Sequence, residues 1–66
     1  MEEKIKNYIK AGFPIDVIQL RCGNPSRKWI RELIKETDPY MYSILGDTKK
    51  IKQYRDWLYK KNGLLV

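Results

Sequence analysis

The stretch Ile15–Lys35 reads IDVIQLRCGNPSRKWIRELIK. Its apolar residues recur at three- and four-residue intervals, the period of a helix with one buried face and not the alternation of a strand. Gly23 stops the first helical segment, because glycine adopts a left-handed backbone without steric cost. Asn24-Pro25 restarts the chain: Asn24 is expected to cap exposed amides, and Pro25 has no amide to leave unpaired. Counting back from Gly23, Ile18 and Cys22 take the inward positions of the first segment. Counting forward, Ile30 and Leu33 take those of the second, flanked by Trp29 and Ile34, and both Trp29 and Cys22 read as core. Val17 and Leu20 point away from that face and need cover from the first or last helix.

The same punctuation extends in both directions. Residues 2–11 form a helix with Met1, Ile5, Tyr8 and Ile9 on one face, closed by Gly12. Phe13-Pro14 opens the second helix, 14–22, and Pro25 opens the third, 25–36. Asp38-Pro39 repeats the cap-plus-proline device and begins a fourth, 39–45, that ends at Gly46. Asp47 caps a fifth, 48–61, with Ile51, Tyr54, Trp57 and Leu58 as an inward stripe and Lys49, Lys52 and Lys60 outside. Gly63 ends that helix, and Leu64-Leu65-Val66 follows as an apolar tail. With no strand alternation and no internal repeat, the pattern predicts an all-α fold: one domain over 1–66, a compact bundle of about five short helices.

Composition narrows the function. A chain of 66 residues makes one domain at most and leaves little room for a deep substrate cavity beside its core. One cysteine and no histidine leave no internal disulfide, no zinc site of the usual Cys/His types, and no base for a Cys–His or Ser–His pair. The expectation is therefore a non-enzyme with neither metal nor cofactor. No apolar run is long enough to span a bilayer and no secretory signal is visible after Met1, so the chain is expected to be soluble and cytoplasmic. Fourteen Lys and Arg against eight Asp and Glu give a net charge of +6. The excess is spread over both halves of the chain, so the positive field belongs to the folded domain.

Ser26, Arg27, Lys28 and Arg31 fall near the start of the third helix on its outer side, with Lys35 one turn on. These residue types contact phosphates, and Arg or Lys also reads guanine edges. The plainer account is a solvated helix face; against it, only Glu32 interrupts the positive run. Glu32 and Glu36 read as solvated or paired with Lys28 and Lys35.

Over residues 12–35 the chain resembles the helix-turn-helix superfamily of DNA-binding proteins, particularly the small regulators of phages and mobile elements. It departs from that pattern in two places. Gln19 stands where the family commonly has a small residue, and the turn Gly23–Ser26 is longer than the commonest form. Both imply a widened helix crossing or a different fold. The resemblance implies a sequence-specific DNA-binding protein, a small transcriptional regulator or mobile-element accessory factor, whose third helix enters the major groove of double-stranded DNA. Asn24 and Ser26 would anchor a phosphate, Arg27, Lys28, Arg31 and Lys35 would supply base or phosphate contacts, and Lys49, Lys50 and Lys52 would extend the backbone grip. The alternative is a small basic inhibitor or adaptor that binds an acidic protein surface; RNA binding ranks third. A homodimer through Trp57, Tyr59 and Leu64, Leu65 and Val66 would couple two half-sites.

Overall fold

The computed structural model describes residues 1–63 and contains five helices: α1 (Glu2–Ala11), α2 (Ile15–Arg21), α3 (Arg27–Thr37), α4 (Pro39–Ser43) and α5 (Thr48–Lys61). The all-α expectation is met, with no strand among the described residues.

Each helix end has a local cause. In α1, Glu2 and Glu3 sit at the positive end of the helix dipole and Lys10 at the negative end. Gly12 then turns left-handed (φ 91°). Its N–H donates to the Ile9 carbonyl at 3.0 Å, and the Phe13 N–H donates to the Tyr8 carbonyl at 3.1 Å. The Tyr8 and Phe13 rings meet edge-on across this stop, 5.2 Å apart, the apolar contact that accompanies a Schellman ending. The turn after α2 uses two left-handed residues in succession, Gly23 (φ 79°) and Asn24 (φ 61°).

Here the first expectation is corrected. The cap of α3 is Ser26, whose Oγ accepts from the Trp29 N–H at 3.4 Å. Asn24 cannot cap it, because its backbone is spent on the turn, and α3 therefore starts at Arg27 instead of Pro25. Asp38 ends α3 and begins α4: its N–H donates to the Ile34 carbonyl (2.7 Å), and its Oδ1 accepts from the Met41 N–H (3.1 Å). Asp47 caps α5 as expected, accepting from the Lys50 N–H at 3.0 Å. The short α4 closes at Ser43, and turns through Ile44 and Leu45 carry the chain to α5.

The core is built from Ile5 and Ile9 of α1, Ile15 and Ile18 of α2, Cys22, the α3 trio Ile30, Leu33 and Ile34, then Met41, Ile44, Ile51 and Leu58. The helix α3 lies at its centre, packed most extensively on α4 and α1, while α5 covers α1. Burying a Leu or Ile of this kind is worth about 1.5–3 kcal/mol each, which is what a chain with so little interior depends on. The Cα radius of gyration is 11.1 Å, close to the value of about 11 Å for a compact chain of this length.

Three packing expectations fail. Met1 is exposed (67%), because it precedes α1 and contributes only its carbonyl, which accepts from the Ile5 N–H. Leu20 is 84% exposed: it lies about 200° around α2 from Ile18, and neither α1 nor α5 reaches that side. Trp57 is 54% exposed instead of inward. At about 100° per residue it lies about 120° from Ile51 around α5, whereas Arg55 lies only about 40° away. The residues nearest the buried line of α5 are thus Ile51, Arg55 and Leu58, with Tyr54 on the flank.

Candidate nucleic-acid interface

The helix α3 separates its residue types cleanly. Ile30, Leu33 and Ile34 are buried, Trp29 is half-buried against the core, and Arg27, Lys28, Arg31, Glu32, Lys35 and Glu36 are exposed. Lys28, Arg31 and Lys35 follow one another at i, i+3 and i+7, so they form a ridge along the outer side. Neither Glu32 nor Glu36 pairs with Lys28 or Lys35; the Lys35 ammonium instead lies 5.8 Å from the centre of the Tyr42 ring. The first turn of α3 contains no acidic residue, and two cations, Arg27 and Lys28, stand at its positive end. That placement opposes the helix dipole and costs roughly 0.3–1 kcal/mol per charge at an exposed site.

Arg27 is less free than the sequence suggested. Its Nη1 donates to the carboxylate of Asp16 on α2 and to Oε1 of Gln19, the latter at 3.3 Å. The same Gln19 donates from Nε2 to the Pro25 carbonyl at 3.1 Å. Gln19, where a small residue was expected, therefore serves as a polar bridge from α2 across the turn to the start of α3. Ser26 is exposed and caps α3, whereas Asn24 is exposed in the turn and holds no helix amide.

A residue outside the expected set completes the basic surface. Arg55 of α5 is half-buried and faces a cleft that Arg27 and Arg31 of α3 also line, with Asp16 at its edge and Ile15 and Leu45 as apolar wall. Arg31 and Leu45 continue into a shallow depression beside Tyr42 and Gly46. The Arg55 Nε is buried and has no hydrogen-bond partner among the described residues. Burial pushes the Arg55 guanidinium below its ordinary pKa, with Tyr59 and Asp16 pulling it back up. The signal for Arg55 was present in the sequence: Ile51, Arg55 and Leu58 have the i, i+4, i+7 spacing of a buried stripe, and a cation there requires an explanation.

Along another side of α5, half-buried Tyr54 joins the exposed rings of Tyr40 and Trp57. Tyr54 stacks on Trp57 (5.9 Å, 20° between planes) and meets Tyr40 edge-on at 5.0 Å, and the Lys61 ammonium lies 5.1 Å from the centre of the Trp57 ring. Tyr59 is different: it is half-buried and lies against Phe13 at 6.0 Å, so it supports the α1–α2 corner. Residues 64–66, expected to join Trp57 and Tyr59 in a dimer contact, lie outside the described residues. Lys49, Lys50 and Lys52 are all exposed, as expected. No helix among the described residues is long and apolar enough to cross a membrane. Comparison with protein-family models, with curated proteins and with solved structures finds no match to this chain.

Proposed function

We propose that the protein binds double-stranded DNA in a sequence-specific manner through the outer face of α3, as a small transcriptional regulator or an accessory factor of a mobile element would. The observation that carries this reading is the exposed ridge Lys28–Arg31–Lys35, on the side of α3 opposite buried Ile30, Leu33 and Ile34. Support also comes from Lys28 at the positive end of α3, a locally unfavourable charge that an anionic partner offsets, beside an Arg27 already engaged by Asp16. In this reading α2, the turn 22–26 and α3 act as a helix-turn-helix. Lys28 and Arg31 reach base edges or phosphates, Lys35 follows the backbone, and Ser26 and Asn24 flank the entering end. Arg27 contributes from its place against Asp16. Two copies joined through the face of α5 that bears Trp57 would present two α3 helices at once, since Trp57 and Arg55 lie about 160° apart around α5.

Selection from a random duplex library tests the reading. A DNA reader enriches a motif; a chain that enriches none does not read sequence. The second reading, a basic adaptor for an acidic protein surface, draws on the exposed Trp57 and Tyr40, since aromatic residues are enriched at protein interfaces. It is favoured if the library yields no motif and Trp57→Ala abolishes capture of a partner protein.

A further inference from the structure

We infer that the cleft between α2, α3 and α5 is a phosphate-binding site, in which Arg31 and Arg55 grip the anion and Arg27, held by Asp16, closes the side. Three arginines from two helices line one cleft of about 200 Å³. Among the described residues the cleft holds a single carboxylate, Asp16, which is already engaged by Arg27. The balance is two positive charges, which a phosphate dianion neutralises and a diester phosphate reduces. A guanidinium presents a planar fork of donors that matches phosphate oxygens, and groups approaching from different sides suit a tetrahedral anion better than a planar carboxylate.

Arg55 is the informative member. Arginine stays protonated in proteins, so a half-buried guanidinium keeps its charge and requires acceptors. Its Nε is buried and unpartnered among the described residues, next to the cleft it lines. An anion in the cleft would balance the charge that this guanidinium keeps, and a small turn of the side chain would bring Nε–H to the same acceptor. The chemistry has two sources, a backbone phosphate of a nucleic acid or a free phosphate compound, and the cleft is open enough to admit either. The site shares Arg27 and Arg31 with the proposed DNA face but does not depend on it.

The test follows the Arg55 Nε–Hε resonance of the full chain while inorganic phosphate, or a short random-sequence duplex, is added against chloride at matched ionic strength. The site predicts a saturable shift of Arg55 with phosphate. It also predicts about ten- to a hundred-fold weaker phosphate binding in Arg55→Gln, with partial recovery in Arg55→Lys. If the duplex is the source, its binding also moves Arg55, and Arg55→Gln lowers the salt slope by about one phosphate contact. A phosphate shift without duplex binding supports the cleft with a small-molecule source, and the DNA reading is then decided by the library selection alone. Absence of a saturable phosphate shift at Arg55 overturns the cleft, whatever the duplex does, whereas a phosphate shift beside duplex binding that leaves Arg55 unmoved supports the cleft with the small-molecule source. The wild-type resonance decides even if Arg55→Gln fails to fold.

Discussion

The Tyr54 hydroxyl donates to Oδ2 of Asp38 at 2.6 Å, a hydrogen bond that ties α5 to the joint between α3 and α4. Oδ1 of the same carboxylate caps α4 by accepting from the Met41 N–H, so Asp38 orders two elements with two oxygens. Tyr54 precedes Arg55 on α5, so the bond anchors that turn of α5 at the α3–α4 joint.

Tyr54→Phe should destabilise the fold by about 1–2 kcal/mol at neutral pH, the range for a hydrogen bond to a charged group that is partly solvated. Burial, the hydrogen bond to Asp38, and the charges of Asp38 and Tyr40 together push the Tyr54 phenol up from 10.0 to about 12. A group whose pKa is raised in the folded state contributes its stability in full below the unfolded value and loses it as pH rises through the folded one. The gap between wild type and Tyr54→Phe should therefore hold up to about pH 10 and shrink toward pH 12. Urea midpoints of both proteins across that range measure it, and the paired comparison removes the effect of lysine titration.

Gly12 and Gly23 separate two costs that a methyl group can carry. Both are left-handed, but a Cβ on Gly12 would stand 3.0 Å from Leu58 Cβ, while nothing lies within 4 Å of one on Gly23. Gly23→Ala should cost about 1–2 kcal/mol, from backbone strain alone. Gly12→Ala should cost more, because α5 must move off α1 to admit the methyl. Thermal melts that rank the two equally would mean α5 yields without loss.

Leu33 is 3% exposed at the centre of the core. Leu33→Ala should cost about 2–5 kcal/mol. A domain this small has a total stability near 5 kcal/mol, so the variant should be largely unfolded at 37 °C by circular dichroism.

The stop-and-start signals were legible in the sequence because each acts locally. Gly12, Gly23, Asp38-Pro39 and Asp47 mark their boundaries through backbone and cap chemistry that needs no tertiary partner. The buried faces of α1, α2 and α3 were also legible, since Ile5, Ile9, Ile18, Ile30 and Leu33 follow the helical period. What the sequence hid was tertiary. Asp16 and Arg27 are eleven residues apart and meet only once α2 folds back on α3. Trp57 falls within the expected stripe Ile51, Tyr54, Trp57 and Leu58 by its three-residue spacing from Tyr54, but its angle on α5 places it outside the buried line that contains Arg55. Leu20 has no cover because α2 is only two turns long and is packed along one side.

The exposed Trp57 gives a test of association. If α5 forms a two-fold contact, Trp57→Ala should turn a sedimenting dimer into a monomer while changing stability by no more than about 0.5 kcal/mol, as exposed positions do. A monomer for both proteins, free and with DNA, removes the paired half-site arrangement and leaves the α3 reading in place.

The central claim concerns the outer face of α3, and Arg31 tests it best: it is exposed, has no ion pair among the described residues, and is shared by the ridge and the cleft. The measurement is the affinity of wild type and Arg31→Ala for the selected duplex, alongside their melting temperatures. The account predicts weaker binding by about 1–3 kcal/mol with an almost unchanged melting temperature. Equal affinity of the two proteins for that duplex would contradict it.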